Sequence, residues 1–531
     1  MIFLKVLGIL KGLFQKSLKR VQGRALADKP KFETVSITSH HYERQAAAMK
    51  ITLATPISVS TLATMAGGRL TATGGTDPVI THVCTDSREA DASTLFCAIR
   101  GERVDGHDYV AKAAALGCAA VLCERIPENA PAAAYVVVED TIAALSALAL
   151  SRREGEMQDL SIVAITGSVG KTTTKEMTAA VLSRGMRLFK KDGNYNSTIG
   201  LPLSFLEIPH DTDCAVLEMG MSERGEIASM TNAVRPNVAI VANIGSSHLE
   251  YLGTRENIAR AKLEIAQGLP AGGTLLINGD EPLLAQLGQD FGEDLPVIPA
   301  GVRVLRVSLA GTANADYTAA SITPRDGGMT FDLTTPAGVW AGLYIPAMGE
   351  HLVWAASFAA AAGQLNGLSE GQVREGLATY RPANMRQNIR TVGGVTVIED
   401  CYNAAPESMK AALSVLALVA APIPNARRVA ILGDMKELGE DTVALHRSVG
   451  KAACERGVDL LVTVGELGAE IARGALDAGM DPAAVVITGG ADTYAATADY
   501  LKAILREGDH VLFKASRSMR LETIAEAVMG N

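Results

Sequence analysis

Short apolar runs alternate with segments of helical periodicity along most of this chain. In residues 49–154 they predict a helix at 111–116 and strands at 79–83, 94–99, 119–123 and 135–138. Strands that alternate with helices in this way are typical of α/β domains. The pattern therefore predicts a small α/β domain at residues 49–154.

The middle of the chain, residues 155–382, follows the same alternation. Helices are predicted at 175–182 and 257–266, and strands at 162–165, 214–217 and 238–244. Glu218 and His248 follow two of these strands. Because the carboxyl ends of parallel strands open onto one crevice, we expect both side chains to converge there. We predict a central domain built on a parallel sheet.

Pro382 precedes another change of pattern and marks the predicted hinge into a third domain, residues 383–531. Its strands are predicted at 392–399, 428–432, 460–464, 485–488 and 510–513, with helices between them. This pattern favours a second parallel, Rossmann-like sheet. No GxGxxG fingerprint follows these strands, so a dinucleotide is not implied. The predicted fold class is α/β, in three domains.

The turn after the strand at 162–165 has the residues of a phosphate-binding P-loop. It supplies Gly167, Ser168, Val169, Gly170, Lys171 and Thr172. Glycines let the backbone point N–H groups at phosphate oxygens, the lysine adds positive charge, and the threonine hydroxyl is placed to ligate Mg²⁺. Standard spacing would place a glycine at Ile165, so this is the shorter TGxxGKT form. A glycine turn that carries a lysine by chance is the alternative.

Other polar residues of the middle domain are candidates for the same site. A carboxylate that ends an apolar strand is the expected second support for Mg²⁺ in a P-loop enzyme, although Glu218 could be a plain strand-end carboxylate. His248 is either structural or a neighbour of this metal. The turn at 193–200 is rich in amides and hydroxyls that suit phosphate or substrate contacts. Lys262 lies on the helix at 257–266, where a lysine is usually solvated.

Two polar insertions, at 85–88 and 101–108, interrupt the first domain. In the earlier one, the Arg88 guanidinium and the Ser87 hydroxyl could bind an anionic ligand. A solvated surface turn accounts for the same residues equally well.

Residues 1–24 form a basic, partly apolar segment with six Lys/Arg and no acidic residue. Three interpretations stay open. The segment could be an amphipathic helix in weak contact with a membrane surface. It could be a signal peptide that ends at 25–27, although Lys5 and Lys11 interrupt its apolar core. It could also be a dispensable extension, together with the polar residues 25–48, ahead of a folded protein that begins near Met49.

Composition narrows the functional classes. The chain has 49 basic and 58 acidic residues, a net charge of −9, which argues against nucleic acid as a partner. Its seven cysteines form no CxxC pair and no metal-ligand spacing, as expected for buried, reduced thiols in a cytoplasmic protein. No apolar run reaches the roughly 18 residues that span a bilayer.

Several ordered motifs from Met49 onward resemble those of the ATP-dependent Mur ligases, which build the peptide of bacterial cell-wall precursors. The motifs are DSR (86–88), GERVDGHDY (101–109), TGSVGKTTTKE (166–176), GNYNSTIG (193–200), LEMGMSERGEI (217–227), IGSSHLEYLG (244–253), EDCYNAAPESM (399–409), LGDMKELGE (432–440) and KASRSMRLE (514–522). Within the family, the chain is most similar to members that add D-alanyl-D-alanine to UDP-N-acetylmuramoyl-tripeptide. The resemblance implies these two substrates, with ATP and Mg²⁺ as cofactors, and we expect a monomer.

The resemblance also implies roles for individual residues. The implied catalytic residues are Lys171, Glu218, His248 and Lys262. The implied ATP-binding residues are Gly167, Ser168, Val169, Gly170, Lys171, Thr172, Thr173, Asn194, Arg386, Asp400 and Tyr402. The substrate would contact Ser87, Arg88, Asn196, Thr198, Asn403, Ser516 and Arg517. Metal ligands would be Thr172, Glu218, His248 and Lys262, the last as a carbamate.

Two segments depart from the family pattern. Residues 349–355 read GEHLVWA where the family commonly has GxHNxxN, and Ala515 replaces a glycine. Two other functions are considered. A P-loop switch would share the phosphate cradle but should carry an NKxD-type base reader, which is absent. A folylpolyglutamate-type or other Mur-type ligase would share the ATP site but not the DSR and KASRSMRLE motifs.

Overall fold

Three β-sheets organise the protein, in a computed structural model that describes residues 49–71, 76–101, 104–287 and 298–530. The alternatives for residues 1–48 lie outside the described residues, as do positions 102 and 103 of the second polar insertion. Mixed α/β structure, as predicted, is found in all three parts of the chain. Within the described ranges, no helix has the length and apolar character needed to cross a membrane.

The first sheet contains six strands: β1 (Lys50–Ser58), β2 (Arg69–Leu70), β3 (Val79–Cys84), β4 (Thr94–Cys97), β5 (Ala120–Cys123) and β6 (Tyr135–Val137). Their order is β1-β3-β4-β5-β6-β2. Strands β3 to β6 are parallel, whereas β1 and β2 pair with the edges antiparallel. The apolar pattern does not predict β1, because its threonines and Pro56 interrupt the run. The helices here are Val59–Met65, Val110–Ala115 and Thr141–Glu154.

The middle sheet contains nine strands: β7 (Ser161–Thr166), β8 (Leu188–Lys190), β9 (Cys214–Glu218), β10 (Val238–Val241), β11 (Thr274–Asn278), β12 (Arg303–Ser308), β13 (Tyr317–Arg325), β14 (Gly328–Thr335) and β15 (Gly338–Ile345). Their order is β15-β14-β13-β12-β11-β10-β7-β9-β8. The predicted parallel arrangement holds from β8 to β13, but β14 and β15 are antiparallel. Asp326 and Gly327, both at positive φ, make the tight turn that reverses the chain after β13.

The third sheet contains six strands: β16 (Asn388–Val392), β17 (Val395–Glu399), β18 (Arg428–Gly433), β19 (Leu460–Val464), β20 (Val485–Thr488) and β21 (His510–Lys514). Their order is β16-β17-β21-β18-β19-β20, and all neighbours except β16 and β17 are parallel. The strand predicted at 392–399 is confirmed at 395–399, which is β17, but its first residues belong to β16 and a turn. Gly393 and Gly394, both at positive φ, turn the chain into a β16–β17 hairpin.

The remaining helices cover the second and third sheets. They are Lys171–Leu182, Gly200–Leu206, Glu226–Val234, Leu249–Leu252, Arg255–Leu263, Pro282–Ala285, Glu350–Leu365, Glu370–Ala378, Pro406–Ala420, Thr442–Glu455, Gly468–Asp477, Tyr494–Ile504 and Glu522–Met529. Short 3₁₀ helices occur at Ser87–Glu89, Gly106–Tyr109, Glu264–Gly268, Gly439–Asp441, Pro482–Ala484, Ala491–Thr493 and Arg517–Met519.

The first two sheets share a hydrophobic core. Leu203 and Leu206, from the helix that follows the turn at 193–200, pack with Leu145 and Leu148 of the first part of the chain. The buried Arg152 donates hydrogen bonds to the carbonyls of Phe205 and Ile208 across the same boundary. The predicted domain boundary at residues 154/155 therefore follows a helix whose side chains belong to both cores. The boundaries themselves stay a prediction.

The segment between the second and third sheets takes an unusual backbone path. Met385 and Gln387 both have positive φ, at 55° and 49°, a conformation that residues other than glycine rarely adopt. The Gln387 amide donates to the carbonyl of Met348, and Met348 packs into the core of the third sheet. A hydrogen bond thus links a residue before the predicted hinge at Pro382 to a residue after it.

The helix after the P-loop is held by close backbone packing. A Cβ on Gly376 would lie 2.5 Å from Val181 Cα and 2.8 Å from the Ala180 carbonyl oxygen, so the helices Glu370–Ala378 and Lys171–Leu182 touch where only glycine fits. Real Cβ atoms do not approach backbone this closely. Gly376 therefore sets the distance between a supporting helix and the P-loop helix.

We expect Gly376→Ala to destabilise the fold by about 1–3 kcal/mol, because the added methyl group overpacks this contact. Gly371→Ala, in the same helix, is the matched control, since its Cβ would meet only Ser369 Oγ at 4.0 Å. That change should be neutral or stabilise by roughly 0.5–1 kcal/mol. Thermal denaturation measures both effects. Equal melting temperatures for the two variants would contradict the packing account.

Candidate active site

The P-loop joins β7 to the helix Lys171–Leu182, as predicted. Gly170 precedes the helix with φ +80°, a conformation that favours glycine, and a Cβ there would meet nothing within 4 Å. Across the described residues, no hydrogen bond is donated by the N–H groups of Gly170, Lys171, Thr172 and Thr173. These are the unpaired donors of a helix N-terminus, where an anion is stabilised.

Asn243, two residues after β10, ties the P-loop in place and was not among the predicted site residues. Its side-chain oxygen accepts from Val169 N–H at 3.0 Å, and its Nδ2 donates to the Val169 carbonyl at 3.1 Å. Its own carbonyl accepts from Ser168 N–H at 3.2 Å. The strand predicted at 238–244 included Asn243, whereas β10 ends at Val241, so the sequence did not single it out. Asn243 thus fixes the half of the loop whose N–H groups do not face a ligand.

Lys171 lies at the centre of the site. Its Nζ donates to the Gly167 carbonyl at 2.7 Å and lies within 3.4 Å of the Ser168 carbonyl. Burial lowers the pKa of Lys171, and the nearby Glu218 carboxylate acts in the opposite direction. The ammonium is therefore folded back on its own loop, where an anionic ligand would give it a stronger partner.

Glu218 meets the P-loop threonine, as the order of the strands predicts. Thr172 Oγ1 donates to Glu218 Oε2 at 2.9 Å, and Asn196 Nδ2 donates to Glu218 Oε1 at 3.1 Å. A hydroxyl and a carboxylate oxygen are thereby brought together at the edge of the sheet. Asn196 comes from the turn at 193–200, so this turn also reaches the site. A pocket beside it is lined by Lys175, Lys191, Gly193, Tyr195, Asn196 and Glu218.

Lys262 is buried, unlike most lysines on helices. Its side chain is 1% exposed, because the helix Arg255–Leu263 presents it toward the interior next to Lys171. Burial, and then the charge of Lys171, hold the pKa of Lys262 well below its usual range. Among the described residues, no hydrogen bond or ion pair is made by its Nζ. The ammonium form of Lys262 is therefore disfavoured.

His248 is reached by a carboxylate from the third part of the chain. Its Nδ1 lies 2.7 Å from Glu437 Oε2, and its backbone has φ +64°. Burial lowers the pKa of His248, whereas Glu437 favours the protonated form. Glu437 belongs to the LGDMKELGE motif but was not predicted as a site residue. The sequence alone did not indicate that this motif faces the IGSSHLEYLG motif.

Arg386, Asp400 and Tyr402 lie on the third part of the chain and face the second. The Arg386 guanidinium stacks on the Tyr402 ring at 4.1 Å, and the Tyr402 hydroxyl donates to Asn194 Oδ1. The positive charge of Arg386 also lowers the pKa of Lys171. Asp400 instead pairs with the buried Lys514 at 2.6 Å. The predicted nucleotide-covering residues are therefore arranged around the P-loop, with Asp400 held by an inner lysine.

The other candidates are positioned by local contacts. Thr173 interacts with Tyr380, and Thr198 lies in the turn before the helix Gly200–Leu206. Arg88, with a side chain 75% exposed, pairs with Asp86 at 2.5 Å, next to the buried Ser87. Ser516 is buried and accepts from Lys436 N–H, Arg517 pairs with Glu522, and Asn403 accepts from Ala404 N–H. Within the described ranges, none of these contacts links Ser87, Arg88, Asn403, Ser516 or Arg517 to the P-loop.

Three family models match consecutive stretches of this chain. Family models match residues 79–153 (Mur ligase family, catalytic domain), 165–363 (Mur ligase middle domain) and 385–517 (Mur ligase, glutamate ligase domain). A Bacillus subtilis (strain 168) relative, UDP-N-acetylmuramoyl-tripeptide--D-alanyl-D-alanine ligase, is 38% identical over 88% of this chain and 97% of its own. The chain belongs to the Mur ligase family. The resemblance predicted from the motifs is confirmed.

Solved Mur ligase structures share the architecture. MurF from Acinetobacter baumannii aligns with a TM-score of 0.79 at 30% identity, covering 91% of this chain and 100% of that one. MurF ligase from Thermotoga maritima, in complex with ADP, aligns with a TM-score of 0.72 at 27% identity, covering 84% and 96%. The predicted three-part α/β architecture of a Mur ligase is thereby confirmed.

We expect Lys262→Met to raise the melting temperature of the ligand-free Mur ligase at neutral pH in bicarbonate-free buffer. The folded protein disfavours the ammonium, so the unfolded chain binds a proton that the folded chain lacks between the lowered pKa and the usual 10.5. Wild-type stability should therefore rise with pH across that window, and this rise should be smaller in the variant. Thermal denaturation at several pH values measures it.

Lys175→Met is the matched control. Lys175 is also buried, at 3% exposed, but its Nζ donates to the Lys191 carbonyl at 3.1 Å and lies 3.3 Å from Glu176. Removing a partnered buried charge should lower the melting temperature. A loss of stability in Lys262→Met equal to that of Lys175→Met would contradict the unpartnered state of Lys262.

Proposed function

We propose that this Mur ligase adds D-alanyl-D-alanine to UDP-N-acetylmuramoyl-tripeptide with ATP, in the synthesis of peptidoglycan precursors. The proposal rests on 38% identity, over 97% of its length, to a relative named for this reaction. It rests also on a P-loop flanked by Glu218 and His248. Free cysteines throughout the chain support a reducing, cytoplasmic setting. We further propose that the enzyme acts as a monomer.

ATP would bind with its phosphates on the free N–H groups of Gly170 to Thr173 and its negative charge on Lys171. The ADP complex of the Thermotoga maritima enzyme supports a nucleotide in this fold. Arg386, stacked on Tyr402, would cover the nucleotide from the third domain, and Asn194 would contact its phosphates. Asp400 would contribute indirectly, by positioning neighbouring residues, because its carboxylate is paired with Lys514.

The donor set beside the P-loop fits Mg²⁺. The Thr172 hydroxyl and the Glu218 carboxylate are 2.9 Å apart, and hard oxygen ligands are those that Mg²⁺ prefers. These two residues would hold the ion, which neutralises phosphate charge when bound. No cluster of three or more His, Cys, Asp or Glu side chains suited to a metal occurs in the described part of the chain. A second site at His248 would therefore need a ligand in addition to His248 and the neighbouring Glu437 carboxylate.

Lys262 would supply that ligand as a carbamate. A neutral amine adds CO₂ by forming an N–C bond and releasing one proton, and the product is anionic. The burial of Lys262 beside Lys171, with no partner among the described residues, supports this modification, because an anion there would be stabilised by the neighbouring cation. Lys262 and His248 would then hold a second Mg²⁺.

The proposed reaction has two steps. A tripeptide carboxylate oxygen attacks the γ-phosphorus of ATP, so that ADP leaves and an acyl phosphate forms. The amine of the dipeptide then attacks the acyl carbon, and inorganic phosphate leaves as the amide forms. Lys171 would stabilise charge on the transferred phosphoryl group, and most of the catalysis would come from positioning.

The substrates would span the three domains, proposed as residues 49–154, 155–382 and 383–531. Ser87 and Arg88 would hold the uridine-diphosphate end, and Arg88 could bind an anion while Asp86 keeps its guanidinium oriented. Asn196 and Thr198 would contact the sugar-peptide part. Asn403, Ser516 and Arg517 would receive the dipeptide. Closure of the third domain on the second would exclude water from the acyl phosphate.

The test is a phosphate-release assay with ATP, UDP-N-acetylmuramoyl-tripeptide and D-alanyl-D-alanine. We expect release that requires all three components and yields the pentapeptide product by mass spectrometry. Release stimulated instead by a folate and glutamate, or slow hydrolysis coupled only to binding of a protein partner, would overturn the proposal. Those outcomes belong to the folylpolyglutamate-type and switch alternatives.

We expect Lys171→Ala to lower the rate of phosphate release by at least about 100-fold, because it removes the main positive charge from the transferred phosphoryl group. Lys502→Ala is the matched control, since Lys502 lies on the exposed face of a third-domain helix. It should leave the rate unchanged. Circular dichroism checks that both variants are folded, and near wild-type activity in Lys171→Ala would refute the assignment.

A further inference from the structure

The loop of residues 245–250, which we call the histidine loop, is held between two bodies. On one side is the P-loop: Gly245 N–H donates to Ser168 Oγ at 2.8 Å, and Ser247 Oγ donates to the Ser168 carbonyl at 3.3 Å. On the other side are two separate segments of the third domain. The loop that carries His248 is therefore in contact with both halves of the proposed ATP site.

Glu407 makes the first of the third-domain contacts. Its Oε1 accepts from Ser246 N–H at 3.1 Å and from Ser246 Oγ at 2.8 Å. The approach is so close that a Cβ on Gly245 would lie 3.0 Å from the Glu407 carboxyl carbon. Glu407 Oε2 is buried and accepts no hydrogen bond within the described residues. A carboxylate that is only half satisfied is costly, which indicates a role other than stability.

Glu437 makes the second contact, on the far side of the same loop. Its Oε2 lies 2.7 Å from His248 Nδ1, and its carbonyl accepts from Glu250 N–H at 3.3 Å. Glu437 and His248 both have positive φ, at 63° and 64°. Such a conformation is unfavourable for residues with side chains and persists where surrounding contacts impose it. The two strained residues face each other across the domain boundary.

These contacts come from different elements of the third domain. Glu407 lies in the first turn of the helix Pro406–Ala420, whereas Glu437 follows β18. Two anchors separated along the loop fix its orientation, which a single contact would leave free to rotate. Within the described part of the second domain, the hydrogen bonds to this loop come from Ser168 and from the backbone N–H groups of Tyr251, Leu252 and Gly253.

We propose that Glu407 and Glu437 are positioning residues, which orient His248 for the reaction only when the third domain is closed on the second. This inference rests on the proposed function, since it assigns a purpose to closure. Neither glutamate needs to touch substrate. Each acts through the histidine loop, so that closure and a correctly oriented His248 become one event.

Loss of either glutamate should affect both turnover and domain closure. We expect Glu407→Ala and Glu437→Ala each to lower kcat by about 10- to 100-fold, as is typical when a group that orients a metal or phosphate ligand is removed. The KM for UDP-N-acetylmuramoyl-tripeptide should change less than about twofold, because its proposed contacts, Ser87, Arg88, Asn196 and Thr198, lie on the first and second domains. Glu407→Gln should recover most of the rate, since its amide oxygen can still accept both hydrogen bonds from Ser246.

Small-angle X-ray scattering gives a readout that does not depend on turnover. With a non-hydrolysable ATP analogue and UDP-N-acetylmuramoyl-tripeptide, the wild type should contract, and the two alanine variants should keep a larger radius of gyration. Glu440→Ala is the matched control, because Glu440 is an exposed carboxylate three residues after Glu437. It should match the wild type in kcat and in scattering.

Glu437→Asp gives a second test that is less prone to misfolding, since it keeps the charge but withdraws the carboxylate from His248. Reduced kcat with impaired contraction is expected. Wild-type kcat and wild-type contraction in both alanine variants would overturn the inference. A wild-type protein that forms no pentapeptide would instead refute the proposed function, so the two failures are distinguishable.

Discussion

The order of three parallel strands decides where the chemistry can occur. β7 lies between β9 and β10, in register such that Ile165 pairs with Glu218 and Thr166 with Val241. Residues that leave the carboxyl ends of these strands must therefore emerge side by side. The register of these strands therefore brings three elements together: the P-loop, Glu218, and the segment that carries Asn243 and His248. The third-domain residues Glu407 and Glu437 make their contacts with the second domain at this edge.

Electrostatics at this edge is unfavourable in the absence of ligand. Burial lowers the pKa of both Lys171 and Lys262, the charge of Lys171 lowers that of Lys262 further, and only Lys171 has carboxylates that offset its burial. Folding stability is reduced by such a group, which natural sequences retain where function requires it. The same field makes the site strongly attractive to anions, and its cationic character is matched by the unpaired N–H groups of the P-loop helix.

The sequence allowed the local elements of the site to be predicted, but not their meetings across the fold. The P-loop was recognisable because its glycines, lysine and threonine have a fixed spacing, and Glu218 because an acid ends an apolar strand. Burial of Lys262 could not be read from its helix, since about half a turn of rotation separates the solvent-facing side from the interior. Glu437 was missed because its partner His248 is distant in the chain. Strand β14 was missed although Met329, Phe331 and Leu333 alternate with polar residues, a pattern that is typical of half-exposed strands.

The core shared by the first two sheets has a consequence for substrate choice. Leu203 and Leu206 pack into the first domain, whereas the third domain meets the second through polar contacts near the P-loop and through apolar contacts of Met348 and Leu418. We therefore expect the first and second domains to move as one rigid body. The separation between Ser87–Arg88 and the P-loop is then a length built into the fold, set before any ligand arrives. A molecule bound at both ends would be selected by its reach as well as by its functional groups.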